Sequence, residues 1–301
     1  MNKVFVLRPS EDWIVDRLAT EWYNDNSDIS VNDPSQADVI WLLASWCYKN
    51  INPALLTSKK IITTIHHIVI EKFDQSKLSD FQQRDSITDA YHVPNHHTES
   101  IVKQLTKKPI HVIPYWANQK IWRPTEDKQT LRKKHGLVSN GYLIGSFQRD
   151  TEGHDLKTPK LEKGPDLFVD AVEKLWSTNK LIHVVLAGWR RQYVISRLEQ
   201  AGIPYTYFDR PSQETINELY QTLDLYPVTS RAEGGPQSLI ECGLLNIPVI
   251  SRNIGIANLV LPEESISDDV TTATPTVPEV EKLKLNEGFK KYRDLITSLT
   301  D

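Results

Sequence analysis

At 301 residues the chain is about twice the size of a usual α/β domain, so two domains of roughly 120 to 160 residues are expected. Lys and Arg number 13 against 14 Asp and Glu in residues 1–122, and 22 against 25 beyond, so neither half has the basic excess of a nucleic-acid-binding protein. A hydrophobic share of 39% with eight Trp is enough for real cores, and no run approaches the roughly 18 apolar residues that span a bilayer.

The N-terminus enters a short strand with no signal-peptide core. Cys47 and Cys242 lie far apart in no metal-ligand spacing and read as buried thiols in a reducing compartment. A cytoplasmic protein is expected, with peripheral membrane contact left open.

Short β-rich runs alternate with helical patterns along the chain, the signature of parallel sheets with crossover helices. In the first half, strands are expected at 4–7, 39–43, 61–65, 91–93 and 111–113. An amphipathic helix fits Trp13, Ile14, Leu18 and Trp22, with Arg17 out of place on the apolar face. A second fits 99–105, with Ile101, Val102 and Leu105 inward. Lys103, Lys107 and Lys108 lie on its solvated face or just beyond it. Prolines bracket the aromatic-rich segment 114–124, which reads as a hinge.

The second half repeats the theme, with strands at 142–147, 183–187, 206–208, 225–228 and 249–250. Helices are expected at 165–176, opened by Pro165, and at 190–201, 213–223 and 237–245. The Thr/Pro-rich stretch 271–278 reads as a linker before a charged amphipathic helix over 279–299. The whole is α/β: two Rossmann-like, doubly wound domains, 1–120 and 121–278, with the terminal helix within 279–301 expected to pack on the first.

The most informative stretch is 224–251. A buried strand runs into Glu233-Gly234-Gly235-Pro236 and opens a helix that carries Glu241 eight residues after Glu233. A fresh helix N-terminus with two glycines and two carboxylates can hold a sugar joined to a nucleotide diphosphate. An ordinary strand–turn–helix unit with a surface Glu at each end would show the same spacing. His92, His96 and His97 invite a metal-site reading. No Cys or carboxylate falls at matching spacing, so surface or capping roles are expected and no metal site is assigned.

In order, these residues resemble the family-4 retaining glycosyltransferases of the GT-B fold. Gly145-Ser146-Phe147-Gln148-Arg149 followed by Lys163-Gly164 is similar to that family's Gly-x-hydrophobic-x-Arg and Lys-Gly. Thr229-Ser230, Glu233-Gly234, Glu241 and Asn246-Ile247-Pro248-Val249 match its later motifs. So do the strand end Val184-Val185-Leu186-Ala187-Gly188 and Thr64-Ile65-His66. The likeness is strong over about 140–260 and weak over 1–120. A glycine-rich loop is missing after the first strand, where Arg8-Pro9-Ser10-Glu11-Asp12 stands instead.

The resemblance implies two domains facing each other across a cleft and transfer of a sugar from a nucleotide-diphosphate donor to a glycan or other hydroxyl acceptor. It assigns Glu241 to the donor ribose and Glu233 to the transferred sugar. Arg149 and Lys163 become fixed cations on the diphosphate, which would make a metal cofactor unnecessary. Gly234, Gly235 and the backbone of Gln237, Ser238 and Leu239 would face the phosphates. His66 is implied as a sugar or leaving-group contact, with His67 as its alternative, and Arg210 as a possible base contact. A GT-B sugar-nucleotide epimerase, an inverting transferase and a non-catalytic nucleotide-sugar-binding protein remain alternatives.

Overall fold

The computed structural model describes residues 2–11 and 14–300, so Trp13 of the expected first helix and Asp12 of the loop before it lie outside the described residues. In chain order the strands are β1 Val4–Val6, β2 Val39–Leu42, β3 Lys60–Thr64, β4 Ala90–Val93, β5 Ile110–Val112, β6 Tyr142–Ser146, β7 Ile182–Ala187, β8 Tyr205–Phe208, β9 Tyr226–Val228 and β10 Val249–Ser251. The helices are α1 Ile14–Asp25, α2 Pro53–Ser58, α3 Gln75–Ile87, α4 His96–Val102, α5 Lys128–Lys134, α6 Pro165–Thr178, α7 Gln192–Ala201, α8 Gln213–Gln221, α9 Gln237–Leu244, α10 Ala257–Val260 and α11 Leu285–Ser298. No helix among them is long and apolar enough to cross a membrane.

Two compact units result, Met1–Tyr115 with Leu285–Asp301, and Trp116–Lys284. The first boundary therefore precedes the expected 120/121. The Ala117 N–H donates to the Leu283 carbonyl at 2.7 Å, and Trp122 meets Tyr220 edge-on at 5.9 Å, so this segment belongs to the second unit. For the same reason the terminal helix begins at Leu285, after a tight turn at Glu281–Leu283.

In the first unit β1 to β5 pair in sequence order, all parallel. A further parallel bridge joins Val4 to Ser30, so α1 leads to the far side of β1 before the chain returns to β2. The strand order thus reverses at β1, as in a doubly wound sheet. One face packs Ile40, Leu42 and Ile61 against Leu56 of α2, while Phe81 of α3 stacks on Tyr91 at 5.5 Å.

On the other face α1 and α11 meet over an aromatic array. Trp41 stacks on Tyr292 at 5.1 Å, and Trp22 lies edge-on to Trp41 and Phe289 at 5.2 and 5.4 Å. Such pairs contribute about 0.5–1.5 kcal/mol each beyond area burial. Arg17, out of place by pattern, lies 3.5 Å from the largely buried Glu21 one turn on.

His92 corrects the expectation of a surface histidine. It is fully buried in this face, with Thr64 Oγ1 at 3.0 Å from Nδ1 and the Ile113 carbonyl at 2.8 Å from Nε2. Its strand position, between two residues of the opposite face, decides this. His96 stays exposed on Glu99. Cys242 is buried as expected, but Cys47 is only partly so.

In the second unit β6, β7 and β8 form one parallel ribbon and β9 and β10 another, joined by the parallel bridge of Ile144 to Leu225. The combined order β10-β9-β6-β7-β8 reverses between β6 and β9. Phe168, Val169 and Val172 of α6 and Val194 and Leu198 of α7 bury one face of this sheet. The expected linker at 271–278 is instead tied down on this unit, because Thr276 and Val249 exchange backbone hydrogen bonds at 2.8 and 3.1 Å.

Helices α2, α3 and α5 were not expected from the pattern. Asn52, Asp74 and Asp127 cap them by accepting backbone N–H bonds, a local signal that outweighs weak amphipathicity.

Burial holds His66 down to about 4 and His92 to about 3, both below the ordinary 6.5. Both fold as neutral rings, so the unfolded chain binds the extra protons. Their stabilising effect is complete above 6.5 and is lost as pH falls towards 4. Each histidine should cost up to about 1.4 kcal/mol per pH unit in that window. Urea midpoints followed by tryptophan fluorescence should fall steeply there; a flat profile would contradict this assignment.

Candidate active site

The reversal between β6 and β9 places two loops side by side at the carboxyl ends of the strands, where open parallel sheets form their ligand crevices. One loop carries Gln148 and Arg149, and the other runs from Thr229 to Pro236 into α9. A third segment, the turn Leu161–Lys163 with Gly164, crosses against them. Gly164 has φ +62°, and a Cβ there would stand 2.0 Å from the Thr229 carbonyl oxygen. Thr229 Oγ1 donates to the Gly164 carbonyl at 2.9 Å, locking the crossing.

That crossing brings Lys163 to Glu233. The ammonium donates to Oε1 at 2.6 Å, with side-chain exposures of 23% and 13%. Ser230 Oγ donates to the same oxygen at 3.0 Å, and Gln148 Nε2 donates to the Lys163 carbonyl at 2.8 Å. Lys163, Glu233, Ser230 and Gln148 therefore form one network.

Arg149 is oriented from its own loop, donating from Nε to the Thr151 carbonyl at 3.0 Å. Its guanidinium lies 5.8 Å from the ring of Trp189, which follows β7 and is 47% exposed. Beneath this loop is a buried ion pair, Arg191 to Asp150 at 3.1 Å. Arg191 also donates to the Ala187 carbonyl and to Ser146 Oγ, at 3.0 and 2.9 Å. Asp150 accepts from the Tyr193 and Val194 amides at the start of α7, both at 3.3 Å. Burial raises the Asp150 carboxyl, against the pull of Arg191. With its hydrogen bonds filled, the pair ties the ends of β6 and β7 to a helix start and fixes the loop that presents Arg149.

Helix α9 begins at Gln237 after Pro236, which supplies no side-chain cap. Helix starts carry unpaired backbone donors and a positive dipole end, so anions are favoured there. Gly234 is buried and Gly235 is partly buried on the approach, and Gln237, Ser238 and Leu239 form the first turn. Gly255, at φ +55°, packs so closely on this loop that a Cβ would fall 2.8 Å from the Gly234 carbonyl oxygen.

One turn along α9, Glu241 is buried and accepts from the Tyr220 hydroxyl at 2.8 Å. Burial first, and Glu241 next, push Tyr220 well above its usual range, so it remains an O–H donor. Phe147 and Tyr226 close around it at 4.7 and 5.3 Å.

The remaining expected residues have other partners. Arg210 follows β8 with φ +44°, largely exposed and paired to the neighbouring Asp209 at 3.3 Å. His66 belongs to the first unit, where both ring nitrogens are engaged. The Leu43 carbonyl sits 2.9 Å from Nε2, and the Tyr115 hydroxyl donates to Nδ1. Among the described residues no cluster of three or more His, Cys, Asp or Glu side chains could hold a metal ion.

Sequence reasoning missed Ser230, Gln148, Tyr220 and Trp189 as members of the site. Ser230 and Gln148 lay inside quoted motifs without a role, whereas Tyr220 sat unmarked in an amphipathic helix.

Residues 156–289 match the family model described as "Glycosyl transferases group 1". The match covers Lys163, Arg210 and Glu233 through Glu241; Arg149 lies before it. No curated protein matches the chain significantly in sequence. Among solved structures, Anabaena HepE in complex with UDP and glucose superposes with a TM-score of 0.77 at 12% identity, covering 99% of this chain and 100% of that one. Sucrose-phosphate synthase from Thermosynechococcus elongatus gives 0.63 at 15% identity, over 97% and 76% of the two chains. WaaG, a glycosyltransferase involved in lipopolysaccharide biosynthesis, gives 0.61 at 11%, over 85% and 82%. At such identities the likeness is one of fold, and the α/β fold with parallel sheets matches these GT-B glycosyltransferase structures.

Two substitutions test the geometry. Gly164→Ala should cost on the order of 1–3 kcal/mol or prevent folding, because the added carbon meets backbone at a left-handed position. Tyr220→Phe should cost about 1–3 kcal/mol by removing a donor from a buried carboxylate. Denaturant midpoints at unchanged slope would measure both.

Proposed function

We propose that the protein is a retaining glycosyltransferase that moves a sugar from a nucleotide-diphosphate donor to a glycan or other hydroxyl acceptor without a metal ion. The observation that carries this reading is the Lys163–Glu233 pair at the strand reversal, with Arg149 on the neighbouring loop and α9 opening just after Glu233. The group 1 match over 156–289 and the fold shared with a UDP- and glucose-bound protein support it.

In this reading the diphosphate lies against the amino end of α9, with Gly234 and Gly235 allowing the backbone to approach. Arg149 and Lys163 face the negative charge that grows on the leaving diphosphate. Fixed cations there favour the transition state over the ground state. Glu241, its rotamer held by Tyr220, accepts from the ribose diol, and Glu233 accepts from hydroxyls of the transferred sugar. Arg210 is assigned to the base edge. His66, neutral and engaged at both nitrogens, is assigned no proton transfer. Retention is proposed to proceed by front-face displacement with no protein nucleophile.

Thermal shift against UDP, UDP-glucose and other nucleotide diphosphates tests the donor. A ligand at 100 times its Kd should add about 2.7 kcal/mol of stability, unchanged by EDTA. Glu241→Ala should weaken the response to every nucleotide. Glu233→Ala should keep the UDP response and lose the difference between UDP and its sugars. Product NMR should show the donor's anomeric configuration. No stabilisation by any nucleotide would end this reading, and a strict EDTA-sensitive response would remove its metal independence.

A further inference from the structure

The sheet of the first unit reverses its order at β1, since α1 leads to the bridge at Ser30 on one side while β2 pairs on the other. A second crevice is therefore expected at the carboxyl ends of β1 and β2. The residues beyond those ends are joined across the reversal. Trp46 Nε1 donates to Glu11 Oε1 at 3.4 Å. Glu11 is itself held, because its amide and that of Ser10 donate to the Asp16 carboxylate at 2.7 and 2.9 Å. Ser10 accepts φ +59° to make that turn.

Trp46 remains 45% exposed, tilted over His66 with ring centroids 5.8 Å apart. It forms one wall of a cavity of about 380 Å³ beyond the ends of β2 and β3, together with His66, Phe73 and Arg84. That volume falls within the roughly 300–1,000 Å³ of small-molecule sites.

We infer that this cavity is a saccharide subsite with the Trp46 indole as its stacking platform. The indole N–H is already committed to Glu11, so the ring offers a flat apolar face to the C–H side of a pyranose. The rim decides against other ligands. An anionic ligand would face the Asp80 carboxylate, which borders the cavity and is paired there with Arg84. A lipid chain needs an uncharged lining, whereas Lys72, Lys77, Asp80 and Arg84 all border the cavity. A lining that joins an exposed aromatic ring with both basic and acidic side chains suits sugar hydroxyls. The inference rests on the transferase reading and deepens it, making the acceptor a sugar.

Saturation-transfer NMR on the full chain tests it with methyl glycosides of glucose, galactose, mannose and N-acetylglucosamine, and with dodecyl phosphate as a contrasting probe. At least one glycoside should receive saturation at its ring protons. That signal should drop at least tenfold in Trp46→Ala and recover in Trp46→Phe. Silence from every glycoside, persistence in Trp46→Ala, or a Trp46-dependent signal from dodecyl phosphate alone would overturn the inference. The UDP thermal shift in the same samples separates the two claims: if UDP stabilises while glycosides stay silent, the subsite fails and the transferase reading stands.

Discussion

The crossing of Gly164 over the Thr229 carbonyl is the constraint on which the candidate site depends. Lys163 and Glu233 are 70 residues apart, and only a left-handed residue without a side chain lets their two segments pass closely enough for the ammonium to reach the carboxylate. Thr229 Oγ1 returns a hydrogen bond across the same contact, so the approach is both sterically permitted and chemically fastened. The pair is partly withdrawn from water, where a charge-assisted hydrogen bond is shorter and stronger than on an open surface.

Around that crossing, each charged group has its own anchor. Arg149 depends on the Asp150–Arg191 pair below it, whose remaining hydrogen-bonding capacity is filled by strand carbonyls and helix amides. Glu241 depends on Tyr220, itself enclosed by Phe147 and Tyr226. In the proposed reading such preorganisation favours catalysis, because a group already in place needs no rearrangement when charge develops. The strand reversal between β6 and β9 explains why these groups collect where they do.

The first unit is stabilised in another manner. Its β2–β4 face is closed by α11, so the chain's last helix and its earliest strands share one aromatic array built on Trp22, Trp41 and Tyr292. His92 sits within it, making hydrogen bonds that an apolar residue could not. Two histidines held neutral, His92 fully buried and His66 half-buried, make this unit sensitive to acid.

The sequence by itself determined the alternation of strands and helices, because period-two and helical patterns are local and survive without a partner. It also determined the order Arg149, Lys163-Gly164, Glu233, Glu241, since each motif is a short local stretch read directly along the chain. Helices α2, α3 and α5 escaped the pattern, because their caps signal a start but their faces are weakly apolar. Only the tertiary structure decided that His92 is buried, that residues 271–278 are an ordered edge of the second unit, and that Trp46 stands beside Glu11. Each of these depends on which chain segment lies opposite, a pairing between residues distant in sequence that no local pattern encodes.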